Sequence, residues 1–348
     1  MTFLARVCVL VVAFAVCLAG ASSAADEAAF YKGRQVRLLI GFGAGGGYDL
    51  IARLVARHMG GHFPGGSAQV VPQNVPGAGS LTAANTIVHV APHDGTVLAS
   101  IASGIPAAPL LNPEQAKFDS RQLSWIGSAA KETQIDIVWH TSPVRSIDQL
   151  KTHELIIGGT GPGAATDDFP AVLKEILGLK FRLIPGYKST KEVELAMERG
   201  EVQALAANTW NSTKARDADW LKEKKILIMT QYGRTRHPDL PDVPLIWDYV
   251  HDENDRLALN IVFSRQEMGR PYVAPPALAP ERLKSVRSAF DATMRDPAFL
   301  ADAKKADVDI DALDGEQVSV LVAELYKAPA NVVARVRKAL SAETRTTH

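Results

Sequence analysis

The sequence predicts a two-domain α/β protein, each domain a mostly parallel sheet flanked by helices, with a ligand cleft between them. Three observations predict it. Apolar strand-like runs alternate with helix-like runs at the spacing of βαβ units. Two of the strands, Val36–Ile40 and Leu155–Ile157, run into glycine-rich turns that open helices. Beyond an expected export signal about 320 residues remain, more than one ordinary core holds.

Residues 1–25 read as a secretory signal. Arg6 is the positive start, Val7–Leu18 the uncharged apolar run, and Ser22-Ser23-Ala24-Ala25 the small residues of a cleavage site. The apolar run is short for a membrane span. No Arg-Arg pair precedes it. Both cysteines, Cys8 and Cys17, lie in this segment, so the mature chain has no disulfide and no thiol nucleophile.

Hydrophobic residues are 47% and charged residues 22%, ordinary values for a globular chain. Lys and Arg equal Asp and Glu at 38 each, and losing Arg6 leaves one net negative charge. That balance excludes a basic protein that coats nucleic acid.

The first strand, Val36–Ile40, is apolar apart from Arg37, as suits a strand covered on both faces. Gly41–Gly47 holds five glycines, which admit positive φ and close approach of a ligand to the main chain. Leu50, Ile51, Leu54, Val55 and Met59 follow helical spacing, and Gly60-Gly61 stops the helix. Strand, glycine turn and helix N-terminus make an anion site. Gly41-x-Gly43-x-x-Gly46 also matches the dinucleotide fingerprint. The second strand ends in Gln73-Asn74, however, with no carboxylate for a ribose hydroxyl. A turn serving packing alone is the other reading.

The theme recurs. Ala68–Gln73 is the second strand and Asn74–Ser80 a second glycine turn. A helix follows with Ser80 as N-cap and Leu81, Ala84, Ile87 and Val88 inward. Thr96–Ile101 is the third strand, followed by Ser103-Gly104. Three strands ending in such loops fit one shared cleft. Pro106, Pro109 and Pro113 then break regular structure. Trp125-Ile126-Gly127 reads as a crossover strand, Gln134–Trp139 as a strand, and Ser146 caps a short helix.

Leu155–Ile157 enters Gly158–Thr166, the second-domain counterpart of the opening turn. Thr160 and Thr166 add hydroxyls able to donate to a carboxylate. The helix ends at Gly178, and Pro170 implies a kink or a later start. Phe181–Ile184 is a strand. Ser189-x-x-Glu192 is a capping box whose helix turns Val193, Ala196 and Met197 inward. Val202–Ala206 and Ile226–Met229 are further strands. Tyr187 and Trp210 lie just past strand ends and either pack on a ligand or close the interface. Leu257–Phe263 reads as a strand returning to the first domain, and 271–280 as loop. Helices opening at Pro280, Pro297 and Gly315 would pack on the first domain. The division is 26–126 plus 258–348 for the first domain and 127–257 for the second.

Several of these segments together resemble one family, the extracytoplasmic solute receptors of the tripartite tricarboxylate transporters, or Bug-type receptors. Phe42–Asp49 matches its strand-end turn, with Ala44 where the family usually has proline. Asn74–Gly79, Pro92-His93-Asp94-Gly95, Trp125–Ser128 and Gly158–Gly163 match in order. So do Ile184–Lys188, followed by Ala196–Val202, and then Leu240–Pro244. The resemblance implies a type II periplasmic-binding-protein-like fold. It also implies a monomeric receptor that hands a carboxylate, held by backbone N–H groups and waters, to the large and small permease subunits in the membrane.

Expected ligand contacts are Phe42, Gly45, Gly46, Gly47, Tyr48 and Asp49 on the first turn. Pro76, Gly77, Ala78 and Gly79 follow on the second, and Ser103 on the third. In the second domain they are Thr160, Gly161, Pro162, Gly163, Ala164 and Thr166, with Tyr187 and Trp210. Asp49 is either a helix N-terminal charge or a contact to a ligand ammonium, hydroxyl or water.

No zinc-protease motif, nucleophile elbow or P-loop lysine is present in the sequence. No cofactor is expected. His58 and His62 are separated by Gly60-Gly61 and read as surface residues rather than metal ligands. Asp167-Asp168 suits a first helical turn. The reading is therefore a non-enzymatic periplasmic receptor that closes on a small organic anion. The alternatives are an exported hydrolase on the same fold, and a sensor subunit reporting to a membrane kinase.

Overall fold

The computed structural model describes residues 26–346, with side chains to residue 341. The expected signal, 1–25, lies outside the described residues. Two mixed sheets, each covered by helices, make up the architecture.

The first sheet has the order β11-β4-β10-β3-β1-β2. Its strands are β1 (Gln35–Ile40), β2 (Gln69–Asn74), β3 (Val97–Ser100), β4 (Ser124–Ser128), β10 (Pro271–Ala274) and β11 (Leu313–Asp314). β1 pairs in parallel with β2 and β3, while β10 runs antiparallel between β3 and β4. Ile40 is level with both Asn74 and Ser100. Three strands therefore end at one edge, and the loops after them share it. Helix α1 (Gly47–Met59) follows β1 and buries Ile51, Leu54, Val55 and Met59 on one face. Helix α2 (Leu81–His89) covers the other face of the sheet.

The second sheet has the order β7-β6-β8-β5-β9. It contains β5 (Gln134–Trp139), β6 (Leu155–Gly158), β7 (Phe181–Ile184), β8 (Ala204–Thr209) and β9 (Ile226–Gln231). β6 is parallel to β7 and β8; β5 is antiparallel to β8 and β9. Helices α3 (Ala165–Leu177), α4 (Thr190–Glu198) and α5 (Trp210–Arg216) follow β6, β7 and β8. Pro170 is accommodated inside α3. The capping box at Ser189 forms with a shifted partner. Ser189 Oγ accepts from the Glu192 N–H, while Glu192 accepts from the Lys188 N–H rather than from that of Ser189.

Three expectations change. Residues 257–263 form no strand but part of helix α6 (Glu253–Phe263). Ala258, Leu259, Val262 and Phe263 are buried in the core of the second sheet, at helical spacing, while Leu257 is 45% exposed. The strand that returns to the first sheet is β10, in the stretch expected to be loop. Ser80 precedes α2, but its side chain does not cap it; it takes φ +79° and its Oγ accepts from the Ala102 N–H.

Helices α7 (Pro280–Arg295), α8 (Pro297–Lys305) and α9 (Gly315–Leu325) begin at their start signals and pack on the first sheet. The last helix, α10 (Ala330–Thr346), crosses to the other half. Its Val332, Val333, Val336 and Ala339 join the second core beside α3 and α6.

Candidate functional site

A cavity of ≈ 50 Å³ opens between the carboxyl-end loops of the two sheets. Three helices point their N-termini into it: Gly46 and Gly47 of α1, Ala164 and Ala165 of α3, Ser189 and Thr190 of α4. The first N–H groups of a helix have no intrahelical partner and carry partial positive charge. The geometry follows from the level strand ends, because each helix starts within a short loop of a strand at the same edge.

One cation reaches the wall. Arg270 precedes β10 and is 2% exposed. Its Nε donates to Glu132 Oε1 at 2.7 Å, and its Nη2 donates to Thr209 Oγ1 at 2.7 Å and Ser212 Oγ at 2.9 Å. Its guanidinium lies 4.3 Å from the Tyr48 ring centroid. Burial would lower the Arg270 pKa, but Glu132 outweighs it and keeps the group charged. Burial pushes the Glu132 pKa up against the opposing pull of Arg270. The Tyr48 hydroxyl donates to the Gly269 carbonyl and accepts from the Ser103 N–H. Phe42 stacks on Tyr48 with centroids 4.5 Å apart. Tyr48 thus ties α1, the end of β3 and the approach to β10 into one wall.

Of the residues the sequence pointed to, Phe42, Gly46, Gly47, Tyr48, Ser103, Thr160, Ala164 and Thr166 line this cavity. The others lie elsewhere for definable reasons. Asp49 faces its own turn. Its Oδ2 accepts from the Gly45 N–H, and its Oδ1 from Arg53 and Asn74. Burial alone would raise its pKa, but those hydrogen bonds outweigh it and hold the carboxyl below its usual range.

The turn Pro76–Gly79 packs against Gly161–Gly163 from the other half. A Cβ on Gly79 would sit 2.2 Å from the Pro162 carbonyl oxygen, and one on Gly161 2.7 Å from the Gly79 nitrogen. These turns meet outside the lining of this cavity. Ala78 takes φ +46° there. Trp210 Nε1 donates to Asp239, and its ring belongs to the second-half core. Tyr187 packs on that same core.

The N–H groups of the Gly158–Thr166 turn are largely occupied. The N–H of Gly161 donates to Asp167, that of Gly163 to Asp168, and that of Thr160 to Thr166 Oγ1. Asp168 is in turn held by Arg265 at 2.7 Å. Burial pushes the Asp167 pKa up to about 6. Both carboxylates line a separate cavity of ≈ 430 Å³ behind the turn, together with Pro162 and Gly163. That cavity is the larger, but only the smaller one gathers the starts of α1, α3 and α4 with Arg270.

Sequence reasoning missed Arg270, Gln134, Ser189, Thr190, Thr209 and Ser212. The capping box marked Ser189 as a helix start, which was a usable signal. Arg270 lies in a loop-like stretch far along the chain, and only the antiparallel insertion of β10 brings it to the site. His58 and His62 contact Asp302 and Asp296 respectively. Among the described residues no group of three or more His, Cys, Asp or Glu is placed to hold a metal.

Known proteins share both the sequence pattern and the architecture. A protein of Cupriavidus necator, described as UPF0065 protein in gbd 5'region, is 25% identical over 346 residues, 96% of this chain and 97% of the relative. The periplasmic binding protein BugD superposes with a TM-score of 0.72 at 21% identity, over 89% of this chain and 98% of that one. MatC from Rhodopseudomonas palustris, solved with bound malate, gives 0.68 at 18%, over 88% and 99%. At such identities these structures speak for the fold. Residues 51–337 match the family model described as tripartite tricarboxylate transporter family receptor, and the chain belongs to that family.

Proposed function

We propose that this protein captures a small organic anion, a carboxylate, in the periplasm and delivers it to the membrane permease subunits of a tripartite tricarboxylate-type transporter. The observation that carries this reading is the convergence of three helix N-termini and Arg270 on one cavity. Such a site favours negative charge without a nucleophile or metal. Family membership and the malate-bound relative support a carboxylate.

Closure is a hinge motion in this reading. One lobe carries the first sheet with α7, α8 and α9; the other carries the second sheet with α6 and α10. Three connections join them, near 129–133, 264–270 and 326–329. Ligand bridging both lobes favours the closed arrangement by its added contacts.

The test is a thermal-shift screen of the chain lacking residues 1–25 against mono-, di- and tricarboxylates and acidic amino acids. A binder raises the melting temperature by mass action. A shift with one class, lost in Arg270→Met, supports the reading. No shift with any acid, from protein that is folded by circular dichroism, overturns it.

A further inference from the structure

We infer that the ligand is a small monocarboxylate bearing a hydroxyl group, with Gln134 reading the hydroxyl and Glu132, by offsetting Arg270, disfavouring a second carboxylate. This rests on the carboxylate-receptor reading and narrows it. Three independent features of the cavity lead there.

The first is charge. Among the described residues Arg270 is the one cationic side chain on the cavity wall. Its charge already has a partner, Glu132, at 2.7 Å, and the Glu132 side chain is fully buried. Its Nη2 donors go to Thr209 and Ser212. The positive potential left for a ligand comes chiefly from helix N-termini, each equivalent to about half a charge at most. That suits one carboxylate. Glu132 does not line the cavity but offsets the charge of Arg270, so a second carboxylate would find no counter-charge there.

The second is an unused amide. Gln134 is 4% exposed and lines the cavity. Its backbone N–H donates to Gln266, yet its side-chain oxygen is buried with no hydrogen-bond partner. Buried polar groups are rarely left unpaired without a reason. A primary amide offers one donor and one acceptor side, and a hydroxyl answers both. Gln134 is level with Thr209 across the β5–β8 pair, and Thr209 holds Arg270. Amide and guanidinium therefore share one end of the cavity, while the α3 and α4 N-termini supply its carboxylate-binding side.

The third is size. A cavity of ≈ 50 Å³ is small for a ligand site and favours a short acid over a tricarboxylate or aromatic one. That fits a short hydroxy acid.

The experiment is isothermal titration of the signal-less chain with matched acids: lactate, propionate and malonate, then 3-hydroxybutyrate, butyrate and succinate. In the wild type each hydroxy acid should bind at least about tenfold more tightly than its unsubstituted partner, since a site built for a hydroxyl rejects the analogue lacking it. Each dicarboxylate should bind more weakly still. Gln134→Leu should erase the hydroxyl preference. Glu132→Gln should improve the dicarboxylate relative to the hydroxy acid by about tenfold or more. These ratios are read within each variant, so a general loss of affinity does not mimic them; should Glu132→Gln not fold, Gln134→Leu alone decides the hydroxyl. Dicarboxylates outbinding hydroxy acids in the wild type, or a hydroxyl preference that survives Gln134→Leu, overturns the inference while leaving the receptor reading intact. Binding of no acid at all overturns the receptor reading itself.

Discussion

The Arg270 guanidinium donates from Nε to Glu132 Oε1 at 2.7 Å, and neither side chain is more than 2% exposed. A buried pair of this kind costs desolvation on both sides, so it is weak evidence for stability. Its position on the ligand cavity gives it a different use. It holds a cation against the ring of Tyr48 and beside the start of α1, where the proposed ligand would meet it.

Arg270→Met leaves the Glu132 carboxylate buried and unpaired. Urea denaturation should show a loss of roughly 3–5 kcal/mol, the usual effect of removing one partner of a buried pair. Adding Glu132→Leu should restore more than half of it. Ligand affinity, measured by calorimetry, should stay low in the double variant. Recovery of binding together with stability would assign the pair a purely structural role.

The turns at Gly79 and Gly161 meet across the two halves, a contact that the proposed closure would depend on. Gly79→Ala adds a methyl 2.2 Å from the Pro162 carbonyl oxygen, at a φ of +58°. Binding should weaken by at least about tenfold, or 1.4 kcal/mol. Small-angle scattering should show less compaction with ligand than in the wild type. Gly200→Ala is the control. Its φ is +74° but nothing lies near the added methyl, so it should cost about 1 kcal/mol of stability and no affinity.

Leu257 and Leu259 separate a helix from a strand by a stability measurement. In a strand they share a face; in α6 they lie on different sides. Leu259→Ala removes a fully buried side chain and should cost about 2–5 kcal/mol. Leu257→Ala, at 45% exposure, should cost less than about 0.5 kcal/mol. Equal losses would contradict the helix.

Asp136 and Asp167 set part of the pH dependence of stability. Burial pushes each pKa up to about 6, above the ordinary 3.8. The native state therefore holds these protons more tightly than the unfolded chain. Their contribution to stability is fully present below about pH 4 and is lost as pH rises through about 6. Asp136 accepts from the Tyr232 hydroxyl and the Ala207 N–H, both of which Asn can still engage. Asp136→Asn should flatten the urea-derived stability profile between pH 4 and 6 by up to about 1.4 kcal/mol per unit. An unchanged slope would place the Asp136 pKa near its ordinary value.

Much of this molecule was legible before folding. The run Val36–Ile40 with Gly41–Gly47, and the run Leu155–Ile157 with Gly158–Thr166, announced strand, turn and helix because apolar spacing and glycine are local signals. From them followed the α/β class and a cavity at strand ends, with Phe42, Tyr48, Thr160 and Thr166 on its wall. The sheets were expected to be mostly parallel and are mixed, because β10 and β11 in the first and β5 in the second run antiparallel to their neighbours. Asp49 was legible as a helix-start charge, but its partner Asn74, from the end of β2, was not. The apolar run at 257–263 misled because period alone cannot separate a buried strand from a short helix. Tertiary structure alone decided three things. It made Gly79 and Gly161 face each other, it sent α10 to the second core, and it slid β10 between β3 and β4 so that Arg270 reaches Glu132 and Thr209. Each joins residues far apart in the chain, and such contacts depend on packing and burial between elements, which local sequence pattern does not encode.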